Sequence, residues 1–271
     1  MTVISDELSM ENNLVSVPKE MLERVAKDAI ERVHAPPRGV APWFKFMFGS
    51  QPRAPSYWTK FIERRSLKDW MMETSVGNQT SHLVNVPSDM FHAIDSLVQD
   101  TWVTDKVGHG RDAHGLGNLN YTHVKVTDVK RIENCALFYQ YCLERQKLFK
   151  HGMKKGVLSA IENVKGSSGK LMTTSRIGSD SVLSKDIYSE INEHYLFHGT
   201  AVAERIAKQG LDTRLGGQNA MFGQGVYCAE SSTKSDQYAG RPTLKHLINI
   251  LMPLTNLTMI NILDRLADRP D

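Results

Sequence analysis

NEHYLFHGTAVAERIAKQGLDTRLGGQNAMFGQGVYCAESSTKSDQYAG, residues 192–240, is the stretch on which both fold and chemistry turn. Tyr195, Leu196 and Phe197 form a short apolar run, which predicts a buried strand. The run ends in His198-Gly199-Thr200. Thr200 can cap a following helix whose apolar positions are Val202, Ala203 and Ile206. Gly210 suits the left-handed residue that closes such a helix. His198 is therefore expected at a strand-to-helix junction, a common place for reactive side chains. Gly216, Gly217, Gly223 and Gly225 then populate a loop over 212–225, and glycines let backbone approach a ligand closely. Residues 226–229 read as another strand. A helix start is expected at Ser231 or Ser232, with Ser235 and Tyr238 three apart on one face. A hydroxyl and an aromatic plane presented together suit a flat, amide-bearing ligand.

Upstream, Tyr121 begins an alternating pattern. Val124 and Val126 share a face and Val129 and Ile132 follow, which predicts one strand with a bend. Asn134 can cap a helix carrying Leu137, Tyr141, Glu144 and Leu148 at helical spacing, with Leu137, Phe138 and Tyr141 toward the core. Pro87-Ser88 opens an earlier amphipathic helix with Phe91, Ile94, Leu97, Val98 and Thr101 as its stripe. Residues 163–182 are rich in Gly and Ser and are expected to be a mobile insertion. The string GSSGK (166–170) resembles a phosphate loop only superficially. Val164 stands where the first glycine is required and Leu171 where the metal-binding hydroxyl is required.

Toward the N-terminus, a helix is expected over 18–33 and a second over 58–72, with Trp58, Phe61 and Ile62 on one face. Between them, Pro36, Pro37, Pro42, Pro52 and Pro55 forbid regular structure and predict a linker. Trp43, Phe44, Phe46 and Phe48 on that linker either pin it to the core or form a docking patch. His109 and His114 have no third ligand nearby, so solvated loop histidines are expected rather than a metal site.

Composition narrows the class. The 271 residues are 41% hydrophobic and 23% charged, as in an ordinary soluble globular protein. No run of 18 uncharged apolar residues occurs, so no helical membrane span is expected. Cys135, Cys142 and Cys228 make neither a disulfide framework nor a zinc pattern. The start of the chain does not read as a secretory signal. An intracellular protein, nuclear or cytoplasmic, is the expectation. The net charge of +3 does not indicate nucleic acid.

Taken together, LFHGT (196–200) and MFGQGVYCAESSTKSDQY (221–238) resemble the catalytic domain of the poly(ADP-ribose) polymerase family, the diphtheria-toxin-like ADP-ribosyltransferases, in their tankyrase-like form. VTDVKRIEN (126–134) resembles the same family's "I-x-R-I-Q-N" element, and the likeness covers about 86–240. The resemblance implies an α+β fold: a split, mostly antiparallel sheet with flanking helices. It places the catalytic domain at 86–271, after an N-terminal helical and Pro-rich region (1–85) of unknown role. It implies an NAD-dependent transferase that moves ADP-ribose to protein acceptors, the chain itself among the candidates, in single units or chains. His198 and Tyr227 are the implied catalytic residues. His198 would bond the adenosine ribose of NAD, Gly199 would offer its backbone to the nicotinamide amide, and Ser235 would donate to that amide. Tyr238 and Tyr227 would stack on either side of the ring, and Thr200 and Gly225 complete the cofactor-binding set. Residues 212–223 would form the loop over NAD. Cleavage of the nicotinamide–ribose bond passes through an oxocarbenium-like state, as glycoside cleavage does.

The family's third catalytic residue is usually a glutamate on a later strand. No glutamate follows Glu230, and Asp264, the nearest carboxylate, lies in a polar terminal stretch. Leu247, Ile248, Ile250, Leu251 and Leu254 predict one strand in the tail. A C-terminally incomplete domain is the expectation, with a catalytically weak NAD- or ADP-ribose-binding module as the alternative function. A Rossmann-type oxidoreductase is disfavoured because no G-x-G-x-x-G follows a first strand. The tankyrase-like zinc element has no cysteine here, so no metal is predicted.

Overall fold

The structure is a computed structural model and describes residues 52–61, 66–74, 81–107, 121–155, 169–188, 191–217, 220, 223–238, 247–252 and 258–266. In chain order its elements are α1 (Leu67–Thr74), β1 (Ser81–Asn85), α2 (Ser88–Asp100), β2 (His123–Asn134), α3 (Cys135–Lys155), α4 (Met172–Arg176), β3 (Leu196–Thr200), α5 (Ala203–Gln209), α6 (Ser232–Asp236), β4 (Leu247–Met252) and β5 (Thr258–Leu266). The chain divides into two units. One takes 1–80, 133–161 and 188–192, and the other takes 81–132, 162–187 and 193–271. The helix expected over 18–33, the aromatic linker residues, His109, His114 and the GSS of 166–168 lie outside the described residues.

The first unit is built on α3. Asn134 caps it as expected, its side-chain oxygen accepting from the Leu137 N–H at 3.1 Å. Of the three side chains expected toward the core, Phe138 and Tyr141 are buried and Leu137 is only half-buried. Cys135, Phe138, Tyr141 and Cys142 are buried, whereas Leu148 is exposed. Spacings of three and four put both thiols on the core face, where a free cysteine behaves as a small hydrophobe. Trp58, Phe61 and Leu67 complete this core, with the Trp58 and Phe138 rings 5.1 Å apart.

Trp58 and Phe61 are not helical, so the helix expected over 58–72 is corrected to α1. The reason is a start signal at Ser66. Its hydroxyl accepts from the Asp69 N–H at 3.2 Å, and the Asp69 carboxylate accepts from the Ser66 N–H at 3.2 Å, a capping box.

Glu133 holds residues 59 and 60. Its fully buried carboxylate accepts from the N–H of Thr59 at 2.9 Å and of Lys60 at 2.7 Å. Glu133→Gln replaces one acceptor oxygen by an amide that can only donate. The expected cost is about 1.5 kcal/mol, a fall of about 4 °C in a thermal melt.

The second unit is a five-stranded sheet in the order β1-β2-β5-β4-β3. β5 runs antiparallel to both β2 and β4, and β4 antiparallel to β3. The resemblance implies a split sheet; the described strands all lie in one. The bend expected in β2 is present as register shifts between Lys125 and Asp128. One extra residue flips the side-chain parity beyond it. Val124, Val126 and Val129 therefore face one core with Ile94, Leu97 and Val98 of α2. Ile132 faces the other core, with Ala203, Ile206 and Ala207 of α5.

The tail supplies two strands where one was expected. Thr258, Ile260 and Ile262 are β-branched at alternate positions, a strand signal masked by the Asp264-Arg265 pair that follows. In register, Asp264 stands opposite Lys125. The expected mobile insertion is also corrected in its second half, where 172–176 form α4 and 182–186 a 3-10 turn. Thr173 is fully buried there, its hydroxyl donating to the Tyr195 carbonyl at 2.6 Å.

Candidate functional site

β3 presents the site. Phe197 is fully buried, and its N–H and C=O both bond Ala229 at 2.7 Å. This is a single antiparallel bridge, so the strand expected over 226–229 is corrected to one paired residue. The bridge orients the rest of β3. Backbone N–H and C=O groups two residues apart on a strand point to the same edge. Gly199 therefore directs its N–H and C=O to the edge that Ala229 covers at Phe197, the edge away from β4.

The glycine at 199 has a steric cause. A Cβ placed there would stand 1.9 Å from the Ser235 carbonyl oxygen and 3.1 Å from its Oγ. Any side chain is excluded, and the Ser235 hydroxyl lies against the Gly199 backbone. An N–H, a C=O and an O–H, the backbone groups of Gly199 and the Ser235 hydroxyl, thus lie close together.

His198 is braced from below. Its Nδ1 lies 2.9 Å from the Tyr227 carbonyl oxygen. A carbonyl can only accept, so Nδ1 carries the proton, and in the neutral ring Nε2 is then an acceptor. That tautomer suits a ligand hydroxyl. Tyr227 donates its own hydroxyl to the Gly223 carbonyl at 2.5 Å. Tyr227 and Tyr238 are 42% and 50% exposed, large for aromatics, and the Lys234 ammonium stands over the Tyr238 ring, 5.2 Å from its centroid.

Thr200 is buried, and its hydroxyl accepts from the Val202 N–H at 3.2 Å. It therefore turns the chain into α5 rather than capping the helix itself, whose N-cap is Val202. Val202 is exposed, so the buried stripe of α5 is Ala203, Ile206 and Ala207. Gly210 closes that helix with φ of 81°, as expected.

The loop 212–225 is braced across itself. A Cβ at Gly216 would stand 2.8 Å from the Gly225 carbonyl oxygen. Gln224 donates to the Arg214 carbonyl at 3.1 Å. Asp212 caps the short turn at Thr213–Leu215, accepting from the Arg214 N–H at 2.9 Å, and its carboxylate is forked by the Arg214 guanidinium at 2.7 to 3.1 Å. The guanidinium hydrogen bonds, with the backbone N–H, hold the Asp212 carboxyl at about 2, below its ordinary 3.8. Arg214→Ala is expected to return most of that shift toward 3.8, the backbone bond retaining the remainder. A carboxyl-carbon NMR titration reads it directly. The depressed value means that this loop brace is present above about pH 4 and is lost as pH falls through about 2.

α6 is docked by three hydroxyls at its start, of which Ser231 and Ser232 were expected only as the place where the helix begins. Ser231 Oγ donates to the Thr101 carbonyl at 2.9 Å and Ser232 Oγ to the Val98 carbonyl at 2.8 Å. Thr233 Oγ1 accepts from the Val103 N–H at 2.7 Å. The last four carbonyls of α2 have no partner within their own helix, and the Ser232 hydroxyl supplies one at Val98. At the far end of α6 the Tyr121 hydroxyl donates to the buried Asp236 carboxylate. Glu230 accepts from the Met172 N–H at 2.7 Å, at the start of α4. Cys228 is packed beside the α5 core, and burial pushes its thiol up. Among the described residues no group of three or more His, Cys, Asp or Glu side chains could hold a metal ion. No helix among them is long and apolar enough to cross a membrane.

His198, Gly199, Thr200, Gly225, Tyr227, Ser235 and Tyr238 all fall in this one unit, on β3 and the two segments that flank it. Residues 115–254, more than half of the chain, match the family model of the poly(ADP-ribose) polymerase catalytic domain.

Proposed function

The chain belongs to the poly(ADP-ribose) polymerase catalytic domain family, whose substrate is NAD, and we propose that it is an NAD ADP-ribosyltransferase that modifies protein acceptors. The observation that carries this reading is the corner formed by the Gly199 backbone and the Ser235 hydroxyl. One N–H and one C=O on the strand edge away from β4 match the carbonyl and amino group of a carboxamide, and the hydroxyl adds a second donor. His198 Nε2 is the acceptor for a ribose hydroxyl. Tyr227 and Tyr238 supply ring faces for the nicotinamide. These groups are set before a ligand arrives, which is the main source of transition-state stabilisation in a site with little covalent chemistry of its own.

The bound NAD supplies the scissile bond between nicotinamide and ribose. The chain's part is to hold the amide, orient the ribose through His198 and shield the reacting carbon under the loop 212–223. We assign the transferase to 86–271 and place the protein inside the cell, in nucleus or cytoplasm, with proteins, itself included, as acceptors. Labelled NAD tests the reading. Label on the chain or on added protein, with release of nicotinamide, supports it. Neither label nor nicotinamide release overturns it.

A second reading is an NAD- or ADP-ribose-binding module of little or no activity. Binding of benzamide (a nicotinamide mimic) without turnover supports this reading over the first.

A further inference from the structure

We propose that Tyr121 and Asp236 are positioning residues for the amide-binding corner, a role that rests on the reading of that corner given above. α6 spans only Ser232–Asp236, far too short to hold a helical shape alone. Its place is set by what it is tied to. The N-terminal ties run to α2 and its following turn through Ser231, Ser232 and Thr233. At the C-terminal end the Tyr121 hydroxyl donates to the Asp236 carboxylate, and just beyond it Gln237 Nε2 donates to the Lys106 carbonyl at 3.4 Å.

Both partners of that tie are buried, Asp236 at 1% and Tyr121 at 7% exposure, and a buried carboxylate demands donors. The Tyr121 end is itself rigid. Its ring belongs to the sheet core, 6.1 Å from the Trp102 ring, and Trp102 Nε1 donates to the next carbonyl, that of Thr122, at 2.6 Å. Asp236 directly follows Ser235, and the Ser235 carbonyl accepts from the Tyr238 N–H at 3.0 Å. Tyr121 thus fixes, through one carboxylate, the turn that carries the Ser235 hydroxyl and the Tyr238 ring. His198 stands on β3 and is held by its own bond to the Tyr227 carbonyl, which involves neither Tyr121 nor Asp236. The consequence is selective: loosening the tie should spoil recognition of the nicotinamide end and spare the ADP-ribose end.

Tyr121→Phe removes the hydroxyl and keeps the ring. The expected result is a roughly tenfold weaker benzamide affinity with unchanged ADP-ribose affinity. Asp236→Ala should do the same. Asp236→Asn, which keeps an acceptor oxygen, should recover most of the loss. This pair carries the test if Tyr121→Phe does not fold. Hydrogen exchange of the free protein adds an arm that needs no ligand: faster exchange at 231–238 and none at 196–200 is expected. A folded Tyr121→Phe with wild-type benzamide affinity overturns the proposal. So does an equal loss of benzamide and ADP-ribose binding with a general fall in melting temperature, which would mark a merely structural pair. If the unaltered chain binds no benzamide, the reading of the corner fails, and the exchange arm alone then decides whether Tyr121 positions α6.

Discussion

Gly199→Ala is expected to cost the protein about 3 kcal/mol, lower its melting temperature by about 10 °C and weaken benzamide binding at least ~100-fold. The new methyl carbon would lie 1.9 Å from the Ser235 carbonyl oxygen and 2.9 Å from its carbonyl carbon. Both obstacles are backbone, not the end of a flexible side chain, so a rotamer change cannot relieve the clash. Either β3 or α6 must move. β3 is held in register by β4 on one side and by the Ala229 bridge on the other. α6 is held by the hydroxyls of Ser231, Ser232 and Thr233 and by Asp236. Each escape breaks buried hydrogen bonds, and each displaces the Gly199 edge from the Ser235 hydroxyl. Gly178→Ala is the control, because a Cβ there meets nothing within 4 Å and the position lies on an exposed turn. It should change stability by less than about 0.5 kcal/mol. Calorimetry and benzamide titration on both variants check the contrast. Equal melting temperatures for the two would show that the 199 contact yields easily, and the steric account of that glycine would fall.

Much of this site was legible because its signals are local. The apolar run before His198 and the glycine after it follow from short-range geometry, whereas Tyr238, expected on one helix face with Ser235, lies beyond the end of α6 and is exposed while Ser235 is buried. The buried stripe Ile94, Leu97, Val98 was readable for the same reason, and so was the bend in β2. What escaped was long-range or chemically disguised. Ser231, Ser232 and Thr233 look like polar punctuation in sequence. Their bonds to the Thr101 carbonyl, the Val98 carbonyl and the Val103 N–H, some 130 residues away, depend on the fold. Cys135 and Cys142 were weighed as thiols and not as core hydrophobes. The Ser66–Asp69 capping box marks where α1 starts, but the apolar Trp58 and Phe61 drew the expected start too far upstream. The strand expected at 226–229 shrank to a bridge because Phe197 offers only one outward pair of backbone groups there before β3 reaches Gly199. In the tail, the alternation of Thr258, Ile260 and Ile262 was outweighed by the charges after it, although a strand tolerates such charges where its pairing is secured on both edges, as β5 is between β2 and β4.

His198→Asn is expected to separate the two jobs of this histidine. Nδ1 donates to the Tyr227 carbonyl at 2.9 Å, and in the proposed function Nε2 is the acceptor for a ribose hydroxyl. The asparagine amide can occupy the place of Nδ1 and keep the donor to Tyr227. It is too short to replace Nε2. The brace under Tyr227 should survive, so the melting temperature should stay within about 2 °C of the parent. ADP-ribose affinity should fall roughly tenfold to a hundredfold, the cost of a ribose hydroxyl left without its acceptor in a partly desolvated site. Benzamide affinity should hold, because Gly199, Ser235 and the two tyrosines are untouched. NAD turnover should drop at least ~100-fold, since an ill-held ribose leaves the scissile bond out of line. His198→Ala should lose the brace as well and weaken both ligands. Titrating ADP-ribose and benzamide into each variant checks the split. Wild-type ADP-ribose affinity in His198→Asn would mean that Nε2 faces no ligand hydroxyl, and the histidine would then be a prop for Tyr227 alone.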